Sequence, residues 1–192
     1  MEIEIRKLTP ELAEDYVRFF DETPHDEDVD EHKCYCVCYA AKDSDGEDFS
    51  TREKRRQIAQ SYVRGGQLQG YLAYRGDEIV GWCNANVKAQ CLGCVSWRMF
   101  MGDVPVSGER AKSVFCFVIA PSMQRQGIAT KLLARVCEDA AAEGFTFVEA
   151  YPNRTFVSTV KDYAGPVALY ERAGFETWLE MDDRLVMRKT LN

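Results

Sequence analysis

A strongly apolar stretch, Val114 to Ile119, is followed within a few residues by Gln124-Arg125-Gln126-Gly127-Ile128-Ala129, and then by an amphipathic segment to about Glu143. The stretch has no polar alternation, so it reads as a central strand covered on both faces. The segment places Ile128, Leu132, Leu133, Val136, Cys137, Ala140 and Ala141 on one broad helical face. A glycine-containing turn between a buried strand and a helix start leaves backbone N–H groups unpaired. Those donors and the positive end of the helix dipole make a seat for phosphate. Gly127 lets a diphosphate approach the backbone because no Cβ intervenes. The chain therefore reads as a binder of a nucleotide-like cofactor with a pyrophosphate.

The 192 residues suffice for a single domain, 1–192, and 46% hydrophobic content suffices for a core. No apolar run reaches transmembrane length, so no membrane partner is expected. Met1 to Arg6 alternates charged and apolar side chains and reads as a strand rather than a signal peptide, which makes the cytoplasm the expected compartment. A net charge of −7 argues against nucleic acid as a partner.

Acid is concentrated at Asp21, Glu22, Asp26, Glu27, Asp28, Asp30 and Glu31. Two readings stand: a solvated loop, or a negative rim that steers a cationic amine. The eight cysteines are expected as thiols in a reducing compartment, with Cys116 and Cys137 on core faces. Cys34-x-Cys36-x-Cys38 and Cys91-x-x-Cys94 could supply four thiolates to zinc. Spaced by two along an extended chain, the first three could instead share one side and line a pocket beside Tyr35 and Tyr39. The pocket reading is preferred, and no metal ligands are assigned.

Along the chain, residues 2–7 read as a strand, and Thr9-Pro10 as the start of a helix with Leu12, Tyr16, Phe19 and Phe20 on one face. Ser50 and Glu53 suggest a capping box for a helix ended by Gly65-Gly66. Tyr71–Tyr74 and Glu78–Asn84 suggest a hairpin around Arg75-Gly76-Asp77. Residues 88–110 lack a clean period and read as loop with a short helix. Phe145–Tyr151 reads as a strand, 153–165 as a loop and 166–173 as a short helix closed by Gly174. Phe175–Glu180 and Arg184–Lys189 read as a terminal pair of strands.

Leu169-Tyr170-Glu171-Arg172-Ala173-Gly174-Phe175 lies about forty residues after the glycine turn, with one strand between. With Gln124-x-x-Gly127-x-Ala129 and Ile79-Val80-Gly81-Trp82 in order, most of the chain resembles the GNAT N-acetyltransferase superfamily. The resemblance implies an α/β (α+β mixed) fold. Its central mixed sheet has about six or seven strands, splayed between the fourth and fifth and flanked by helices. It implies acetyl-CoA as cosubstrate, a small-molecule or peptide amine as acceptor, and a homodimer as a common assembly.

The resemblance places the CoA pyrophosphate on Gln124, Arg125, Gln126, Gly127, Ile128, Ala129 and Thr130. It pairs the pantetheine amides with backbone groups of Phe117, Val118 and Ile119, with a Val118 N–H as an oxyanion donor. Tyr170 matches the family tyrosine that protonates the leaving thiolate; its other reading is a packed aromatic. Tyr163 stands where many members carry a cofactor-contacting asparagine, which leaves Asn153 as the nearest substitute. The buried strand has no carboxylate, so Glu149 on the next strand is the candidate base, with a structural role as its equal rival and a water relay as a third route. Outside an N-acetyltransferase, the chain could be a non-catalytic acyl-CoA-binding module or a metal-stabilised interaction protein built on the cysteines.

Overall fold

In the computed structural model, residues 2–24, 30–42, 46–159 and 161–191 are described. Seven strands form one sheet in the order β1-β2-β3-β4-β5-β7-β6. They are β1 (Ile3–Lys7), β2 (Gly70–Arg75), β3 (Glu78–Val87), β4 (Ala111–Ile119), β5 (Phe147–Ala150), β6 (Glu176–Glu180) and β7 (Leu185–Thr190). Only β4 and β5 pair in parallel; every other neighbour is antiparallel. The helices are α1 (Ala13–Glu22), α2 (Arg52–Arg64), α3 (Lys88–Cys91), α4 (Val95–Phe100), α5 (Ile128–Ala142) and α6 (Val167–Arg172). None of the described helices is long and apolar enough to cross a membrane.

The sheet separates two cores. One face packs α1, α2 and the 34–41 segment around Tyr16, Phe20, Trp82, Phe115 and Tyr151. The other packs α5 and α6 around Val114, Phe117, Ile128, Leu132, Val136 and Tyr170. Alternation along β4 sends Cys116 and Val118 to the first core and Val114 and Phe117 to the second.

The expected splay is present. β4 and β5 pair only over Ala111–Val114 against Phe147–Ala150. Beyond that point β4 continues against β3 alone, as far as Ile119. The register slips between Asn84 and Ala85, which leaves Phe115 as an extra residue on β4. Such a bulge bends and twists the strand where it leaves its neighbour.

Several local expectations shift. The cap of α2 is Thr51, whose hydroxyl accepts the Lys54 N–H at 3.3 Å, rather than Ser50, whose own N–H is held by Asp48. Thr9-Pro10 opens a 3-10 turn, Pro10–Leu12, before α1 begins. Residues 88–100 form two short helices separated by a turn. Ala141 of α5 is exposed, just outside the buried stripe. The cysteine segment is not extended. Tyr35 and Cys36 are both left-handed (φ 47° and 51°), and a 3-10 turn, Val37–Tyr39, follows. That geometry costs non-glycine residues of order 1–3 kcal/mol each. It is held by Tyr16, whose hydroxyl donates to the Tyr35 carbonyl at 2.7 Å, and by Asp21, which accepts the Tyr35 hydroxyl at 2.6 Å.

Candidate functional site

β4 ends at Ile119 because Pro121 opens a 3-10 turn, Pro121–Met123, that reverses the chain toward α5. Two left-handed residues then complete the approach: Arg125 at φ 60° and Gly127 at φ 80°. Gly127 is the N-cap of α5, and its carbonyl takes the Lys131 N–H at 3.1 Å. The N–H groups of Gly127, Ile128, Ala129 and Thr130 precede the first intrahelical bond and have no helical partner. A Cβ built on Gly127 meets no atom within 4 Å, so the space in front of the turn is free of protein.

That space belongs to a cavity of about 1010 Å³. Its walls are Phe117, Val118 and Ile119 of β4, the turn residues Gln124, Arg125, Gly127, Ile128, Ala129 and Thr130, and Leu169 and Arg172 of α6. Pro24, Phe156, Thr159, Asp162 and Tyr163 also line it. The structure thus brings together most of the residues expected to bind a cofactor. Gln126 stands apart: its side chain turns back to the Ser122 carbonyl at 3.0 Å.

The edge of β4 carries a finer pattern. The Phe117 N–H donates to the Tyr163 carbonyl at 2.6 Å, away from β3, whereas the Ala120 N–H donates to Val80 of β3. Alternation then turns the Val118 N–H toward β3 as well. The Val118 amide is therefore not the free donor expected from the sequence; the exposed edge belongs to Phe117 and Ile119. The Ile119 carbonyl is approached by the Gln124 side-chain amide at 3.4 Å.

Tyr170 is fully buried, and its hydroxyl donates to the Ala164 carbonyl at 2.5 Å. Burial pushes its pKa well above the ordinary phenol value. Its ring meets Phe175 edge-on, with centroids 5.3 Å apart. Two consecutive loop carbonyls, Tyr163 and Ala164, thus hold the Phe117 N–H and the Tyr170 hydroxyl.

Glu149, Asn153 and Tyr170 do not line the cavity. Glu149 is fully buried and holds Lys88 Nζ at 2.5 Å, the Tyr151 hydroxyl at 2.7 Å and Arg188 Nε at 2.6 Å. Both carboxylate oxygens are occupied, which is the structural alternative. The Asn153 amide donates to Asp162, which also accepts the Val157 and Ser158 N–H groups. Burial pushes the Asp162 carboxyl up, but the bonds from Asn153, Val157 and Ser158 outweigh it and hold it below the usual range.

The cysteines lie elsewhere. None of the eight is in a disulfide, and none is on the cavity wall. Among the described residues no group of three or more His, Cys, Asp or Glu side chains is placed to hold a metal. Cys94 Sγ instead donates to the Tyr39 carbonyl at 3.1 Å. Of the acidic segment, Asp21 is neutralised by Arg52 and Arg56, and Glu31 accepts the Arg52 N–H. Asp26, Glu27 and Asp28, and the side chain of Asp30, lie outside the described residues. The sequence reading missed Pro24, Phe156, Asp162 and Arg172 as cavity residues. Only Arg172 had a local signal, one helical turn beyond Leu169.

A sequence model described as the acetyltransferase (GNAT) family matches residues 8–175. The architecture is shared with solved structures at low identity. PaiA N-acetyltransferase from Thermoplasma acidophilum, in complex with coenzyme A, is 15% identical with a TM-score of 0.56, and 99% of each chain is covered. The yncA protein of Salmonella typhimurium, with its cofactor acetyl-CoA, is 14% identical with a TM-score of 0.55, covering 99% of this chain and 94% of that one. Ribosomal-protein-alanine N-acetyltransferase from Brucella melitensis is 19% identical with a TM-score of 0.53, covering 98% and 99%. At these identities the likeness extends to the fold. No curated relative matches the sequence.

Proposed function

The chain belongs to the GNAT acetyltransferase family, and from that premise we propose that it moves an acetyl group from acetyl-CoA to a primary amine while both are bound. The observation that carries this reading is the continuity of one cavity. It runs from the unpartnered amides at the start of α5 to the edge of β4 beyond its fork with β5.

The residues fit such a ligand. Gly127 to Thr130 offer N–H donors and the helix dipole to a diphosphate. Phe117 and Ile119 offer an amide-pairing edge to the pantetheine arm. For that pairing the Tyr163 carbonyl must release the Phe117 N–H. Acetyl-CoA supplies a thioester, whose carbonyl carbon the amine attacks.

Tyr170 is assigned as the acid for the departing thiolate. Its raised pKa keeps the phenol protonated at neutral pH. The exchange that frees Phe117 also involves the neighbouring Ala164 carbonyl, which now holds the Tyr170 hydroxyl. Among the described residues, the carboxylate on the cavity wall is Asp162, and both of its oxygens are engaged. The amine therefore loses its proton to water, and its neutral fraction reacts.

The acceptor is a small molecule or peptide bearing a primary amine. Eight cysteines outside any disulfide suit a reducing compartment such as the cytoplasm. Release of free CoA thiol, followed with acetyl-CoA and a panel of polyamines, aminoglycosides and peptides, tests the reading. Amine-dependent release is expected. Tight cofactor binding with no release across the panel would make the chain a non-catalytic acyl-CoA-binding module instead.

A further inference from the structure

The exposed edge of β4 is already occupied by the protein's own chain. A ligand that adds to a strand edge presents carbonyls to its N–H groups. Here the Tyr163 carbonyl does so, taking the Phe117 N–H at 2.6 Å. The next carbonyl, that of Ala164, takes the Tyr170 hydroxyl at 2.5 Å. Residues 162–165 therefore form a short strap, and Asp162, Tyr163 and Gly165 stand on the cavity wall. Phe117 is buried, and a buried N–H needs a partner. The strap supplies one, and a second carbonyl cannot take the same place.

The strap is anchored at both ends. At one, the buried Asp162 carboxylate accepts the Val157 and Ser158 N–H groups at 2.5 and 3.0 Å, and the Asn153 amide. At the other, the Gly165 N–H donates to the Asp162 carbonyl at 2.8 Å and closes a tight turn. Gly165 stands at φ 80°, where other residues are strained, and a Cβ there would meet Leu169 Cδ2 at 3.3 Å. The bonds at Asp162 and Gly165 fix the shape of the strap; those of Tyr163 and Ala164 reach β4 and α6.

We propose that residues 162–165 are an internal competitor for the pantetheine arm, latched by Asp162. This rests on the acetyl-CoA reading above. In the closed form the strap fills the amide-pairing edge. The cofactor binds the fraction of molecules in which the strap has swung away, and its apparent affinity falls by that fraction. Opening also frees the Tyr170 hydroxyl. That hydroxyl exchanges the Ala164 carbonyl for the cofactor sulfur, so its removal costs the closed and the bound forms alike. The rival account is that the strap stays in place and Asp162 only shapes the wall.

Isothermal titration of CoA and ADP into the wild type, Asp162→Asn and Gly165→Ala tests it. ADP carries the diphosphate without the pantetheine arm. Both substitutions weaken the closed strap, the first by removing a charged acceptor and the second by strain at a positive φ. Each is expected to tighten CoA by about five- to tenfold, the scale of one such bond, and to leave ADP within about twofold. Equal tightening of both ligands would mark a general change in the cavity and overturn the inference. So would unchanged or weaker CoA binding in either variant shown by melting to be folded. Hydrogen exchange on the wild type is read beside the titrations. Saturating CoA is expected to slow the amides of residues 127–130 and to speed those of Asp162 and Gly165, whose N–H groups are bonded in the closed strap. Slowing of both segments overturns the strap while leaving the acetyl-CoA reading intact. Failure of CoA to bind the wild type overturns both.

Discussion

Lys88 Nζ lies 2.5 Å from Glu149 Oε1, and both side chains are buried. Arg188 Nε takes the other carboxylate oxygen at 2.6 Å while its guanidinium lies over the Trp178 and Phe147 rings. One carboxylate therefore compensates two cations and ties β5 to β7 and to the chain that follows β3. Glu149→Gln would strand those cations, at a cost of about 3–5 kcal/mol for breaking a buried pair. Urea denaturation should register that loss, and the residual enzyme should keep the wild-type shape of its pH–rate profile. Unchanged stability with the low-pH limb of the profile removed would instead mark Glu149 as the base.

Tyr170→Phe removes the hydroxyl that donates to the Ala164 carbonyl. Turnover is expected to fall by about 10²-fold, the lower range for loss of a general acid. Affinity for acetyl-CoA should stay within about twofold, because amides of the α5 turn hold the phosphates. Steady-state kinetics beside calorimetry separates the two quantities. A wild-type kcat would remove Tyr170 from the chemistry.

If water takes the amine proton, the reaction follows the acceptor's own ionisation. With the best acceptor found, kcat/KM should rise about tenfold per pH unit until the pH reaches that amine's pKa. Changing to a less basic amine should move the plateau down by the difference between the two amine pKa values. A plateau that stays fixed across acceptors would reveal an enzyme base.

Asp21 clamps the cysteine segment to α2. It accepts the Tyr35 hydroxyl at 2.6 Å and Arg56 Nε at 2.8 Å. Burial pushes its carboxyl up, but the bonds from Tyr35 and Arg56 and the nearby charges of Arg56 and Arg52 outweigh it and hold the pKa below its ordinary value. A folded pKa below the unfolded one gives stability that is present above the unfolded value and lost as pH falls through the folded one. Asp21→Asn should therefore cost about 1–2 kcal/mol at pH 7, reduced by solvent screening at this half-buried site. The gap between wild type and variant should begin to narrow below about pH 4 and close as pH falls through the lower folded pKa. A constant gap across that range, measured by denaturation, would contradict the linkage.

The α5 turn was legible because its signals are local. An apolar run, a glycine and a periodic helix face occupy thirty consecutive residues and describe what the structure contains from Val114 to Glu143. The sheet order was not. Leu185–Thr190 inserts between Phe147–Ala150 and Glu176–Glu180, and the sequence of a hairpin does not say which of its strands meets the rest of the sheet. Lys112 and Ser113 precede the strand expected from Val114, yet both are buried in β4. Glu143 lies 3.6 Å from the Lys112 ammonium, and the Tyr151 hydroxyl shares a 2.7 Å hydrogen bond with Ser113.

Glu149 looked free for catalysis because its cations lie 61 and 39 residues away. Residues 88–100 hid two helices of four and six residues, too short to show a period. The Tyr163 carbonyl on the β4 edge is a backbone group, and no side-chain pattern reports it.

The most direct measurement is calorimetric titration of acetyl-CoA into the wild type, Gly127→Ala and Gly127→Glu, with melts run in parallel. Alanine meets no protein atom at that position and carries only the penalty of a positive φ, about 1 kcal/mol. The expected result is saturable binding to the wild type, modest weakening in Gly127→Ala, and loss by at least about a hundredfold in Gly127→Glu, whose side chain brings bulk and negative charge to the phosphate seat. Equal affinity in a folded Gly127→Glu, or no binding by the wild type at millimolar cofactor, would contradict the placement of a diphosphate at the start of α5.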